Sequence, residues 1–194
     1  MQLKSARRGF SFDKEGPLDM RMDPSQKLSA KEVVNRWSEK ELGHLIKTYG
    51  EERRWRKAAR AIVYARAKKP FETTKQLADV LVRALKAPVS GKRHPGTLVF
   101  QALRMCVNGE LDAIAKGIRK ALEYLAPKGR IGVLSFHSLE DRIVKNIFKE
   151  AASSLEKPRP LLRLLTKKPL VPSLEEKRKN PRSRSSKLRV AERL

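Results

Sequence analysis

Cysteine is nearly absent from this sequence of 194 residues, in which Cys106 is the single example. One thiol can form neither an intramolecular disulfide nor a thiolate metal cluster, so we expect Cys106 to be a buried thiol on a helix. Histidine is also scarce, and His44, His94 and His137 lack the short spacings that place two metal ligands on one helical turn. The sequence therefore predicts neither a metal site nor redox chemistry.

Long apolar runs and acidic residues are scarce as well. No segment reaches the roughly 20 apolar residues needed to cross a bilayer, and Met1 does not open a secretory signal, which favours a cytoplasmic protein over a membrane protein. Only 21 Asp and Glu stand against 45 Lys and Arg, which gives a formal charge of +24. Because such a charge attracts polyanions, we expect a nucleic-acid partner.

The 40% hydrophobic content is enough for a buried core, and the first regular structure that the sequence indicates is helical. Three pairs of residues have the spacing of a capping box, in which side chains satisfy the free backbone N–H groups of a helix start: Ser29 with Glu32, Ser38 with Glu41, and Thr73 with Gln76. The segment from Arg53 to Lys69 is basic on one face. Residues 29–88 are therefore predicted to form a compact helical module.

A change from helix to strand is predicted in the second half of the chain. Apolar residues recur at helical spacing from Val99 to Leu125, with an interruption at Asn108 or Gly109. The run Arg130–Ser135 then has the composition of a strand buried on both faces. Ser138 is expected to cap the helix that follows. These signals predict helix, strand and helix in succession.

The tail from Lys157 to Leu194 is strongly basic, with 13 Lys and Arg against three Asp and Glu. Its last piece, Lys187 to Glu192, alternates polar and apolar residues and is a strand candidate. Six basic side chains of the tail are candidates for binding RNA phosphates: Arg178, Lys179, Arg182, Arg184, Lys187 and Arg189. Because such contacts release counterions, RNA binding through them would depend steeply on salt. The alternative is an ordinary solvated surface, and the size of the whole-chain charge favours RNA binding.

Eight sequence blocks, taken in chain order, resemble the ribosomal RNA small subunit methyltransferase H family. They are Arg8-Gly-Phe-Ser-Phe, Gly16-Pro-Leu-Asp-Met-Arg-Met-Asp23, Tyr49-Gly-Glu-Glu-Arg53, His94-Pro, Phe100-Gln-Ala-Leu-Arg104, Val107-Asn108, Ser135-Phe-His-Ser-Leu-Glu-Asp-Arg142 and Asn180-Pro-Arg-Ser-Arg-Ser-Ser186. The resemblance runs from Met1 to the C-terminus. It departs from the family at Leu98, where an arginine is usual, and at Gly96, which replaces an alanine.

The resemblance implies an α/β fold, namely the C-terminal part of a class I, Rossmann-like methyltransferase domain with an all-helical insert. In such folds the cofactor lies at the carboxyl ends of parallel strands, against a glycine-rich turn. That turn and a family Asp-Leu-Gly-Val-Ser-Ser segment would precede Met1, so the resemblance implies an N-terminally truncated member that lacks the first strands of the sheet. We accordingly expect a remnant of the methyltransferase domain over residues 1–28, the insert over 29–96, and the C-terminal half with its basic tail over 97–194.

The activity that the resemblance implies is N4-methylation of a cytosine in small-subunit (16S) ribosomal RNA by S-adenosylmethionine. The implied partner is that RNA or the small ribosomal subunit. Of the residues with which the family holds its cofactor, only Gln2 carries over, so we expect this chain alone to be inactive. The alternative is a non-catalytic, basic RNA-binding protein associated with the ribosome.

Methylating the exocyclic amine of cytosine requires a base turned out of its helix, a stacking partner, and acceptors for the amine protons. Ser135, Phe136, His137 and Ser138, at the end of the predicted strand, have suitable side chains for a target-cytosine pocket. The alternative is that Ser138 merely caps a helix, Phe136 lies in the core, and His137 is a satisfied loop histidine. The residue types alone fit both interpretations.

Two further charged groups also allow two interpretations. Asp19, Arg21 and Asp23 alternate with methionines, which favours a role in the wall of the cofactor or nucleotide pocket, but a locally paired turn explains them equally well. Asp141, on the helix after the predicted pocket, has the i,i+4 spacing of an ordinary ion pair with Lys145.

Overall fold

The computed structural model describes residues 8–11, 15–86, 94–153 and 160–194, and the chain divides into two compact units, Met1–Glu110 and Leu111–Leu194. Within the described residues lie eight α-helices and three strands, so the chain is an α/β protein. In this part of the chain, no helix is both long enough and apolar enough to span a membrane. The boundary between the units differs from the insert predicted over residues 29–96, and the assignment of the insert stays a prediction.

The first unit is helical. Its helices are α1 (Ala30–Arg36), α2 (Glu39–Thr48), α3 (Trp55–Lys68), α4 (Thr74–Leu85) and α5 (Thr97–Asn108). The apolar faces of these helices meet in a core that includes Leu42, Ile46, Ile62, Leu77 and Leu103. Cys106 lies half-buried on α5 and packs against this core, and burial raises the pKa of its thiol.

Helix starts follow the capping signals in the sequence. Ser38 and Thr73 begin α2 and α4 with reciprocal capping boxes, as predicted. Ser29 caps α1 by accepting a hydrogen bond from the Glu32 N–H at 3.2 Å, but the Glu32 carboxylate pairs with Arg36 instead of returning to the cap. The box predicted for Ser29 and Glu32 is therefore only half formed.

The second unit combines helices with a small sheet. Its elements are α6 (Glu110–Tyr124), which begins at the boundary, β1 (Arg130–Ser135), α7 (Ser138–Ala151), β2 (Leu162–Leu164), α8 (Leu174–Lys179), a 3-10 helix (Pro181–Ser185) and β3 (Lys187–Arg193). The two strands predicted from the sequence, over Arg130–Ser135 and Lys187–Glu192, are thus confirmed. The interruption between the helical runs is also confirmed, because Gly109 ends α5 in the left-handed conformation with a φ of 57°.

The sheet has the order β1-β3-β2, and both pairings are antiparallel. In the register, Arg130 lies opposite Glu192 and Ser135 lies opposite Lys187. The prediction that β1 is buried on both faces is wrong: Arg130, Gly132 and Leu134 are exposed, whereas the residues between them are half-buried. The reason is that β1 is an edge strand of this sheet within the described residues, and a strand covered on one face alternates in burial.

The core of the second unit lies between the sheet and two helices. It contains Ile118 and Leu122 from α6, Val144, Ile147 and Phe148 from α7, Leu162 from β2, and Ala191 from β3. Because α7 packs against all three strands, the turn that joins β1 to α7 is fixed at both of its ends.

Candidate nucleic-acid interface

The turn between β1 and α7 is built around a capping box that differs from the predicted one. His137, not Ser138, is the N-cap: its Nδ1 accepts a hydrogen bond from the Glu140 N–H at 3.3 Å. Glu140 Oε2 accepts from the N–H groups of Phe136 at 2.7 Å and His137 at 3.3 Å. An imidazole nitrogen takes the place of the usual hydroxyl because Nδ1 also reaches the N–H group three residues on. The turn therefore holds the Phe136 backbone firmly.

The side chain of Glu140 is part of this turn and stays ionised. Burial acts to raise its pKa, but the hydrogen bonds from the His137 side chain and the Phe136 N–H outweigh burial, so the pKa lies below its ordinary value. His137 Nε2 is buried and lies 3.1 Å from Glu140 Oε1. Both imidazole nitrogens thus face Glu140, which gives His137 a structural role in the turn.

Phe136 itself is 51% exposed and does not lie in the core. Together with Leu134 it lines an open cleft of about 610 Å³. The segment Asn180–Ser186, which begins 44 residues further along the chain, also lines the cleft. The remaining lining residues are Leu170, Val171, Pro172, Glu176 and Leu188. Two of the sequence blocks that carry the family resemblance therefore line the same cleft.

The segment Asn180–Ser186 is held together by its own hydrogen bonds. Asn180 Oδ1 accepts from the Arg182 N–H at 3.3 Å and caps the 3-10 helix, and the Asn180 carbonyl accepts from Ser183 Oγ at 2.8 Å. The Ser186 N–H donates to the Ser183 carbonyl at 2.7 Å. Arg182 and Arg184 are left exposed on this short helix. The lining of the cleft thus combines the Phe136 ring with one cation, Arg182, and one carboxylate, Glu176, and Arg184 lies outside the lining.

A buried ion pair connects the first turn of α7 to β3. The Asp141 carboxylate accepts hydrogen bonds from Arg189 Nε at 2.7 Å and Nη2 at 3.2 Å, and Lys187 Nζ lies 3.4 Å away. The hydrogen bond from Arg189 is the main reason that the pKa of Asp141 lies below its ordinary value. The predicted local pair with Lys145 is wrong, because Asp141 points into the unit, where β3 supplies the cations.

The six basic residues predicted to bind RNA therefore divide into two groups. Arg178, Arg182 and Arg184 are exposed, and Lys179 is exposed with an ion pair to Glu175 at 2.7 Å. Lys187 is half-buried beside Asp141, and the Arg189 side chain is only 10% exposed. We do not carry Arg189 into an RNA-binding surface, because its guanidinium already binds a buried carboxylate.

The turn that contains Asp19, Arg21 and Asp23 belongs to the first unit and is locally paired. Arg21 Nε donates to Asp19 Oδ1 at 2.7 Å, and Arg21 Nη1 donates to the Gln26 carbonyl at 2.7 Å. The pKa of Asp19 is lowered mainly by this hydrogen bond from Arg21, and the pKa of Asp23 is lowered by hydrogen bonds from Ser25. This geometry is that of a locally paired turn, which was one of the two interpretations of the sequence. A role of these residues in the wall of a cofactor or nucleotide pocket stays a prediction.

The residues that the structure describes do not form a suitable binding site for S-adenosylmethionine. Gln2, the one predicted cofactor-binding residue, lies outside them. At the carboxyl end of β1, the N–H groups of Phe136 and His137 already donate to Glu140, and the turn has no glycine through which a cofactor would approach the backbone. Across the described ranges, no three His, Cys, Asp or Glu side chains come together in a way that would hold a metal ion.

Comparison with known proteins supports the resemblance. The sequence profile of the MraW methylase family matches residues 1–194. A protein named ribosomal RNA small subunit methyltransferase H from Persephonella marina is 52% identical over 194 residues, which are all of this chain and 64% of that protein. Proteins of the same name from Protochlamydia amoebophila and Thermomicrobium roseum are 49% and 52% identical over 204 and 207 residues. These alignments cover 100% of this chain but only 65% and 62% of the two relatives. The chain, which spans just under two thirds of the length of these relatives, belongs to the MraW methylase family.

Proposed function

We propose that this chain forms the base-binding and RNA-binding part of an enzyme that methylates N4 of a cytosine in small-subunit (16S) ribosomal RNA. Family membership and the names of the relatives support a ribosomal RNA methyltransferase. The atom that is methylated, the 16S target and the donor S-adenosylmethionine are part of the proposal. When bound, the donor supplies the methyl group, and the residues described here act on the RNA.

The observation that carries the proposal is the cleft between Phe136 and the segment Asn180–Ser186. A cytosine that leaves its helix loses stacking, and an exposed aromatic ring on a rigid turn replaces that stacking. Arg182 also lines the cleft, where its guanidinium group neutralises a flanking phosphate, and Arg184 is exposed on the same 3-10 helix. Aromatic and cationic groups thus occur together where a flipped nucleotide needs both.

Within this site the four predicted pocket residues have different roles. Phe136 stacks on the base. Ser135 is buried, and its Oγ donates to the Lys187 carbonyl at 3.3 Å, so it secures β1 against β3. His137 shapes the turn, and Ser138 begins α7. Backbone carbonyls and hydroxyls of the cleft accept hydrogen bonds from the N4 amine and so orient its nitrogen, and this geometry does most of the catalytic work.

The test is an RNA-binding measurement with Phe136→Ala on the whole chain. Fluorescence anisotropy compares two labelled single-stranded RNAs that differ only in a central cytosine or uracil. Loss of one stacked base is expected to weaken binding of the cytosine RNA by about five- to 100-fold, and Phe136→Tyr is expected to retain it. Leu174→Ala is the matched control, because Leu174 is also bulky and exposed but lies outside the cleft lining.

Equal affinities of wild type and Phe136→Ala would refute the base-binding role. Binding without any preference for cytosine would favour the alternative, a non-catalytic basic RNA-binding protein. Methyl transfer is followed separately with tritiated S-adenosylmethionine and mass spectrometry of the RNA nucleosides, and a product other than N4-methylcytidine contradicts the proposed reaction. We expect no transfer by residues 1–194 alone, and a stable S-adenosylmethionine complex detected by calorimetry would contradict that expectation.

A further inference from the structure

Helix α3 carries a one-sided charge that the proposed cytosine cleft does not explain. The helix contains no Asp or Glu and five cations, namely Arg56, Lys57, Arg60, Arg66 and Lys68. Like charges three or four residues apart on a helix repel each other. Arg60 has one carboxylate near it, Glu39 at 3.7 Å, and both of these side chains are largely exposed. The face of α3 away from the core thus has an excess of positive charge.

An exposed aromatic ring lies in the middle of this charged face. Tyr64 is 66% exposed, and Lys68 Nζ lies 4.7 Å from the centroid of its ring. Lys57, Arg60, Tyr64 and Lys68 follow one another at spacings of three and four residues, so they share one face of the helix. Arg66 is not on this face, because its Nη1 donates to the Val34 carbonyl at 2.7 Å. Exposed tyrosine among cations is a combination that stacks bases and neutralises phosphates.

A groove between α3 and α4 continues this face. Its volume is about 750 Å³, and Tyr64 and Lys68 are among its lining residues. Lys69 and Arg83 add two further cations to its lining, whereas Asp79 is its one acidic lining residue. The groove is therefore large enough for a nucleotide and carries a net positive charge.

We propose that this face of α3, together with the α3–α4 groove, binds a single-stranded segment of RNA away from the base that is methylated. Tyr64 stacks on one base, while Lys57, Arg60 and Lys68 bind phosphates along the helix. Residues four apart on a helix are separated by about 6 Å along its axis, which suits successive phosphates of an extended strand. The choice of RNA as the ligand rests on the proposed function. A membrane ligand fits less well, because the broad apolar face of α3 packs into the core of the unit and is not available to lipid.

The chain offers a closely matched control for this proposal. Tyr124 on α6 is 77% exposed, and Lys120 Nζ lies 5.2 Å from its ring centroid, so the same pair of residue types occurs there. Lys120 is, however, paired with Glu123 at 2.6 Å, and α6 contains several acidic residues. The two tyrosines differ in the charge around them and not in their exposure.

The experiment measures binding of a fluorescein-labelled 12-nucleotide oligouridine to the whole chain by fluorescence anisotropy. This RNA contains no cytosine, and all variants are also measured in a Phe136→Ala background, so stacking of a uracil in the proposed cytosine cleft does not contribute to the differences. Tyr64→Ala is expected to weaken binding about tenfold and Tyr64→Phe to restore it, whereas Tyr124→Ala stays within about twofold of wild type. Circular dichroism checks that each variant is folded. Equal effects of Tyr64→Ala and Tyr124→Ala, or no effect of either, would overturn the proposal.

A second arm tests the cations through the salt dependence of binding. Removing Lys57, Arg60 and Lys68 together is expected to reduce the slope of log affinity against log salt by about two, since each phosphate contact on a single strand contributes about 0.7. The control removes Lys116, Arg119 and Lys120, which lowers the net charge equally on α6. The same reduction in both triple variants would mean that only the total charge matters. Binding to phosphatidylserine vesicles that is lost in Tyr64→Ala while RNA binding is retained would assign the surface to lipid and overturn the proposal.

Discussion

Replacing Asp141 by alanine should destabilise the second unit strongly, because Asp141 is the partner of a buried guanidinium. The two side chains are 12% and 10% exposed, and two hydrogen bonds join them. Removing one member of a buried pair leaves an uncompensated charge and costs about 3–5 kcal/mol. Whole proteins are stable by roughly 5–15 kcal/mol, so this loss is a large part of the total. The turn that carries Phe136 precedes α7 directly and should lose order with it.

The assay is urea unfolding combined with hydrogen exchange of peptides from α7 and β3. With an m-value of about 2 kcal/mol per M, a loss of about 4 kcal/mol lowers the urea midpoint by about 2 M. Trp37 and Trp55 both lie in the first unit, so tryptophan fluorescence follows that unit and serves as the internal control. In Asp141→Ala, the increase in the rate of hydrogen exchange should be concentrated in the α7 and β3 peptides.

A double substitution separates the charge from the packing. Asp141→Leu with Arg189→Met removes both charges and keeps apolar volume, so most of the stability that either single substitution loses should return. If Asp141→Ala costs less than about 1 kcal/mol, or if the double variant is as unstable as the sum of the two single variants, the pair does not have the role assigned here.

The same pair predicts a dependence of stability on pH. The pKa of Asp141 is lowered in the folded chain from a reference value of 3.8. A carboxyl group with a depressed folded pKa contributes its stabilisation fully above the unfolded pKa and loses it as the pH falls through the folded pKa. The difference in stability between wild type and Asp141→Asn should therefore be constant near neutral pH and shrink below about pH 4.

Three other changes test the structure elsewhere. Gly50→Ala should cost about 1–3 kcal/mol, because its Cβ would lie 2.6 Å from the Ile46 carbonyl oxygen and 2.7 Å from that of Leu98, and thermal unfolding measures the loss. Thr73→Ala should lower the free energy of unfolding by about 1 kcal/mol, because it removes the cap of α4. Cys106 should react with iodoacetamide more slowly than a free cysteine, with its reaction midpoint at higher pH, because burial raises the pKa of its thiol. Unchanged melting temperatures, or a rate equal to that of free cysteine, would contradict these expectations.

Local signals in the sequence predict most elements of this fold, but not β2, α8 or the 3-10 helix of the tail. The caps at Ser38 and Thr73 and the stop at Gly109 depend on residues at most four positions apart, so a short window contains all the information. The strand Arg130–Ser135 has a composition that needs no context either. Its burial was predicted wrongly, because the number of covered faces depends on which strands pair with it, and that is set by distant parts of the chain.

The contacts that form the candidate site are long-range, and for this reason the sequence did not reveal them. Asp141 and Arg189 are 48 positions apart, and the cleft joins Phe136 to a segment 44 positions away. One signal was nevertheless present: Asp141 lies three positions before Val144 and seven before Phe148, so it falls on the apolar stripe of α7. A carboxylate in such a position needs a buried partner. The sequence predicts Ser138 as the cap instead of His137 because a hydroxyl is the usual capping group and Ser138 lies next to His137.

The large positive charge of the chain is not all available to RNA. Arg66 and Arg193 donate to backbone carbonyls, at Val34 and at Leu122, and Arg189 binds a buried carboxylate. A guanidinium suits these positions because its fixed donors satisfy carbonyls that a helix end or a bend leaves without partners. Such arginines add to the formal charge while they stabilise the fold. Among the described residues, exposed cations accompany an exposed aromatic ring on α3, a helix without acidic residues, and Arg182 lines the cleft with Phe136, which is why we place RNA at these two surfaces.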